Sequence, residues 1–175
     1  MDSTIFLASA KSIRVLSLSQ LSCFIGDGNE KRIGDPFMPP HQYGHQLSGL
    51  SINLLVRDVQ VACLFAQEVL GATIVYSDED FAVIKGKDSE WMVHADHTYL
   101  DHPLTGSLAS GDVRGSGAEL RLHGVDPDVA EAKARALGHT ILAGSIDKPH
   151  GLRECYIIDA DGYLWVPDRP IEVDE

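Results

Sequence analysis

Between Leu50 and Arg57 apolar and polar side chains alternate, with Ile52, Leu54 and Val56 on one side and Ser51, Asn53 and Leu55 on the other. This period of two is that of a strand with one apolar face. The period then changes. Val59, Ala62, Cys63, Ala66, Val69 and Leu70 recur at three- and four-residue spacing between Asp58 and Gly71, which predicts a helix capped by the aspartate and stopped by the glycine. Three short strands are expected next, over residues 72–77, 81–85 and 90–94, with Asp/Glu-rich and Gly-Lys-Asp turns of hairpin length between them.

After a Gly- and Ser-bearing connection over residues 105–117 the same order begins again. Residues 118–123 alternate as a strand, Asp126 and Asp128 offer helix caps, Val129, Ala132, Ala136 and Leu137 form the expected buried stripe, and Gly138 stops the helix. Strands over 140–143, 152–158 and 163–166 complete the copy, with Asp159-Ala160-Asp161-Gly162 as a hairpin turn. The fold class is therefore α+β, built from two tandem βαβββ modules, and the internal repeat is its strongest signal.

No hydrophobic period runs through the first 37 residues, where serines are frequent and Gly26 to Arg32 read as a turn. Residues 1–48 are an N-terminal extension expected to be irregular, 49–104 and 118–170 the two modules, and 171–175 an acidic tail. Ile13 to Leu21 has the pattern of a short amphipathic piece, without the charged start, sustained apolar stretch and cleavage site of a secretory signal. Met38 is an alternative start.

Composition narrows the partners. A net charge of −12, from 26 acidic against 14 basic residues, would repel a phosphate backbone, so nucleic acid is excluded as a partner. The apolar runs fall far short of the roughly 20 residues that a membrane span needs. Three cysteines, Cys23, Cys63 and Cys155, leave an odd thiol and have no zinc-like spacing, which fits a reducing cytoplasm. No glycine-rich phosphate loop and no nucleophile elbow is present.

Leu54-Leu-Val-Arg-Asp58 leading to Leu70-Gly71, then Ala136-Leu-Gly138, and above all the run from Lys148 to Trp165 resemble the glyoxalase/bleomycin resistance/dioxygenase superfamily, also called vicinal oxygen chelate. The resemblance spans Gly49 to Pro170. It implies curved mixed sheets around a cavity with the helices outside, and a homodimer that completes that cavity. Superfamily members that use a metal bind it through His, Gln or Glu on several strands, where the cation polarises two neighbouring substrate oxygens. The matching positions here are Ser51 in the first strand, Glu119 (or Ala118, if the repeat is aligned without gaps) in the fifth, and Val166 in the last, with His94 the best donor on the fourth. A hydroxyl and an aliphatic chain stand where ligands are expected, so no bound metal is expected, with His94 and Glu119 the only weak candidates for a divalent ion.

Strand parity puts Ser51, Asn53, Met92, His94, Glu119, Arg121 and His123 opposite the helix-facing positions. That polar face either lines a pocket or meets water, and the resemblance favours the pocket. Arg121 and Arg153 have the forked geometry to clamp an anion, in competition with salt bridges to Glu119 or Glu154. Val166 is a further cavity candidate, while Trp165 and Tyr163 are expected in the core. His94, His97 and His102 form a local run whose spacing argues for exposed residues. The expected function is binding or sequestration of a small organic ligand between the modules, without cofactor. The rivals are a metal-dependent lyase, isomerase or dioxygenase, and a non-catalytic interaction module.

Overall fold

The computed structural model describes residues 38–99 and 114–172. The expectations for residues 1–37, Cys23, His102 and the last three residues lie outside these. The first module runs β1 (Ile52–Val56), α2 (Val59–Glu68), β2 (Thr73–Ser77), β3 (Phe81–Gly86) and β4 (Ser89–Ala95). The second runs β5 (Leu120–His123), α3 (Pro127–Ala136), β6 (Thr140–Asp147), β7 (Leu152–Ile158) and β8 (Leu164–Pro170). Each forms a four-stranded mixed sheet, ordered β1-β4-β3-β2 and β5-β8-β7-β6, in which the first strand lies parallel beside the last. The two βαβββ modules read from the sequence are both present.

The caps have local causes. Asp58 accepts from the backbone N–H groups of Gln60 and Val61, and Asp126 from those of Asp128 and Val129, so each helix begins on a carboxylate that satisfies donors left open by the first turn. Asp126, rather than Asp128, is the cap. The buried stripe of α3 also differs from expectation: Pro127, Ala130 and Ala134 are buried, whereas Val129 and Leu137 are exposed, as are Ala132 and Ala136. Both sets have helical spacing. The alanine stripe brings the helix axis close to the sheet, where the Cys155 thiol reaches the Pro127 carbonyl at 3.4 Å.

Strands β6 and β8 are longer than their apolar runs suggest. Bulges between Ile141 and Ile146 carry β6 past Gly144, and β8 continues through Pro167 and Asp168 to Pro170. Ahead of the first module, Pro40–Gln46 forms a helix of about two turns, α1, inside the segment expected to be irregular. Its proline at the first turn needs no N–H partner there.

One core joins the modules. Leu54, Val56, Ile84, Trp91 and Val93 meet Val59, Cys63, Phe65 and Ala66 of α2 and Leu70 just beyond it, and Leu122, Cys155, Ile157 and Trp165 of the second module continue the same cluster. The Trp91 and Trp165 rings lie 5.3 Å apart, and Leu122 and Trp91 crowd Gly86, where an added Cβ would sit 2.9 Å from the indole. Glycine here permits a close approach. Cys63 and Cys155 are unpaired and buried, and burial pushes both thiols up to about 12.

The Asp159–Gly162 turn locks the modules together. Asp159 accepts from the N–H groups of Asp161 and Tyr163 and from the Trp165 indole, while Asp161 accepts from the Arg57 backbone and guanidinium. Arg114, almost fully buried, holds Asp96 through two bonds and donates to the Leu55 carbonyl, which also accepts from Tyr163.

Candidate functional site

Helices α2 and α3 cover one face of each sheet and leave the other free of these two helices. In the first sheet the register sets Asn53 beside Met92, and His94 between Leu55 and Phe81. His94 Nδ1 donates to the Asn53 side-chain oxygen at 2.7 Å, and Asn53 Nδ2 donates to the Tyr99 hydroxyl at 2.7 Å. This chain fixes the tautomer, leaving His94 Nε2 as an acceptor. Phe81 lies 4.6 Å from the imidazole, centroid to centroid, and Tyr99 5.5 Å. Burial holds the His94 imidazole below its ordinary range, against the pull of Asp78, so the ring is neutral near pH 7. Tyr43, from α1, donates to Glu90 and places its ring edge-on to Phe81 at 6.2 Å. The face is thus an aromatic patch around a neutral, oriented histidine.

The matching face of the second sheet is ionic. Arg121 donates to Glu119 at 3.1 Å, Glu154 at 2.9 Å and Asp168 at 3.2 Å. Glu154 and Asp168 have essentially no exposed surface. Glu154 also accepts from His150 and Tyr156, and Asp168 from His123. Burial alone would raise the Glu154 carboxyl, but donation from Arg121, Tyr156 and His150 outweighs it and holds the group at about 2.

Solved structures decide the fold. TioX from Micromonospora sp. ML1 superposes with a TM-score of 0.52 at 22% identity, covering 73% of this chain and 100% of that one. A glyoxalase/bleomycin resistance protein/dioxygenase from Nocardioides gives 0.53 at 20% identity, over 77% and 93% of the two chains. A glyoxalase/bleomycin resistance protein/dioxygenase family enzyme from Burkholderia phytofirmans PsJN gives 0.55 at 12% identity, over 69% and 97%. The chain has the glyoxalase/bleomycin resistance fold. No family model and no curated protein matches the sequence.

Within the glyoxalase/bleomycin resistance fold, the residues singled out from sequence fall in three places. Asn53, Met92 and His94 come together on the first helix-free face, with Ser51 exposed just before β1. Glu119 and Arg121 share the second face, where Val166 pairs with Arg121 across the strands and is fully buried. Arg153 is elsewhere: it points to the opposite side of β7 from Glu154 and is held by Asp128 and Asp147. Neither arginine is a vacant anion clamp, since each already meets two or more carboxylates. His97 pairs with Asp80 on the surface. A cleft of about 420 Å³ on the helix side, lined by Val61, Leu64, Phe65, Leu137 and His139, contains none of the residues chosen from sequence.

A divalent metal does not fit the residues at the positions matched from the sequence. Ser51 offers a hydroxyl, Val166 nothing, and Glu119 is tied to Arg121. Among the described residues no cluster of three or more His, Cys, Asp or Glu side chains is disposed to hold a metal ion.

Sequence parity had found Asn53, Met92 and His94 but not Phe81, Tyr99 or Tyr43. Phe81 begins β3, where parity from the strand centre applies equally. Tyr99 and Tyr43 reach the face from a 3₁₀ turn (Asp96–Tyr99) and from α1, outside any strand.

Proposed function

We propose that the protein binds a small planar organic ligand on the helix-free face of its first module, without a metal. The observation that carries this reading is the oriented, neutral His94 between Phe81 and Tyr99, with Asn53 fixing its tautomer. Aromatic walls favour a flat apolar body, and an imidazole acceptor with an amide beside it favours a ligand carrying a hydroxyl or N–H donor. Sequestration of such a molecule, as in bleomycin resistance, requires no turnover.

The reading extends to a homodimer. Hydrogen bonds of Asn53, His94 and Glu90 stay within the first module and α1, and those of Arg121, Glu154 and Asp168 within the second. A second copy across a two-fold axis would close a cavity over these faces. Two buried, unpaired thiols support a reducing compartment such as the cytoplasm.

The test is calorimetric titration with a panel of phenols and hydroxylated heteroaromatics, alongside sedimentation of the free protein. At least one compound should bind to wild type and lose about tenfold in affinity, or 1.4 kcal/mol, in His94→Ala and Asn53→Ala. Equal binding by wild type and His94→Ala, or divalent-ion binding that depends on His94, would sink the metal-free reading.

A further inference from the structure

The second helix-free face contains a group that ligand binding on the first does not use. His123 ends β5 beside Asp168 of β8, and its Nδ1 donates to Asp168 Oδ1 at 2.8 Å. The aspartate is 1% exposed, whereas the imidazole is 70% exposed. The backbone fixes the pair as well: the N–H groups of Gly124 and Val125 donate to the Asp168 carbonyl at 2.7 and 3.1 Å, and Gly124 turns the chain away at φ 80°. His123 is therefore held from both its side chain and the following turn. Its Nδ1 carries the proton, and its Nε2 presents a lone pair to solvent.

We propose that His123 is a general base oriented by Asp168, accepting a proton at Nε2 from a weakly acidic ligand or from a water beside one. A buried carboxylate behind an exposed imidazole sets the tautomer and stabilises the imidazolium that forms on proton transfer. The surroundings suit that charge. Among the described residues Arg121 is the one guanidinium paired with the carboxylates of Glu119, Glu154 and Asp168, so negative charge remains to meet an imidazolium. Among the described residues, the other ionisable groups around the site include Tyr156 and His150, both on Glu154, Lys148 over the Tyr156 ring, and Lys87, whose chain passes beside Gly124. His150 repeats the arrangement with its Nε2 on Glu154, and Arg121 joins the two carboxylates. Asp168 is a positioning residue here, acting through His123.

The inference rests on this geometry and is independent of ligand binding at His94. It is tested with a nitro-substituted benzisoxazole, a flat reporter of positioned bases. The base takes the ring C–H proton, that electron pair forms the nitrile, and the ring N–O bond breaks to release a coloured phenolate. His123→Ala leaves the fold intact, checked by circular dichroism, because the ring it removes is exposed. Wild type should outpace His123→Ala by roughly 100-fold, the low end of what a positioned general base contributes. His97→Ala, on the other module, should match wild type. A wild-type rate no higher than that of His123→Ala, or no higher than free imidazole at the same concentration, overturns the proposal, as does an equal loss in His97→Ala.

Discussion

Asp161 Oδ1 accepts from both the backbone N–H and the guanidinium of Arg57, each at 3.0 Å, and stands 3.6 Å from the Arg114 guanidinium. One carboxylate thus ties the end of β1, the connection before β5 and the β7–β8 turn. Burial raises the Asp161 carboxyl, and the two arginines offset only part of that rise.

Asp161→Ala removes the acceptor and leaves Arg114 buried beside no countercharge from that turn. We expect a loss of about 3 kcal/mol, as for other broken buried pairs, read by urea unfolding with the slope unchanged.

Arg121→Ala should act on stability rather than on anion binding. Glu154 and Asp168, both buried, would lose their shared cation, for a cost of about 3 kcal/mol. Calorimetry with small carboxylates should give no binding that depends on Arg121, and tight carboxylate binding abolished by Arg121→Ala would restore the clamp.

The second sheet should also set an acid limit. The folded Glu154 carboxyl sits at about 2 against 4.5 for an unperturbed group. A depressed carboxyl means that the unfolded chain binds more protons in that window, so its stabilisation is full above 4.5 and lost as pH falls toward 2. Unfolding free energy measured across this range should fall less steeply in Glu154→Gln than in wild type.

Leu70 is 2% exposed in the shared core and Leu142 is 62% exposed on the edge strand β6. Leu70→Ala should cost about 2–5 kcal/mol and Leu142→Ala less than about 0.5. Comparable losses at the two sites would contradict the core assignment.

The modular order was legible because each βαβββ unit writes its period changes openly: alternation through Ile52, Leu54 and Val56, then helical spacing from Val59 to Leu70 behind a capping aspartate. The stripe of α3 was not, because Val129 and Leu137 carry a stronger hydrophobic signal than the alanines at 130 and 134, which are the residues that face the sheet. Bulged strands hide for a related reason, since the irregularity between Ile141 and Ile146 breaks the alternation by which strands are recognised. Parity placed His94 and Asn53 on one face, yet the partners that immobilise them are tertiary. Arg121 illustrates the limit: its position on the polar face followed from the sequence, but its saturation by Glu154 and Asp168 depends on three strands being side by side.

Trp91 and Trp165, the two tryptophans of the chain, occupy the same register position in their respective modules, opposite Ile52 and Leu120. Their rings meet within the shared core. A module cut free would present its indole to water, so neither half is expected to hold its shape alone, and the pair should melt in a single cooperative transition. The same contact supplies a built-in optical reporter, because two indoles at 5.3 Å couple electronically. Their joint near-ultraviolet signature should vanish in the same transition in which the sheets lose their strands.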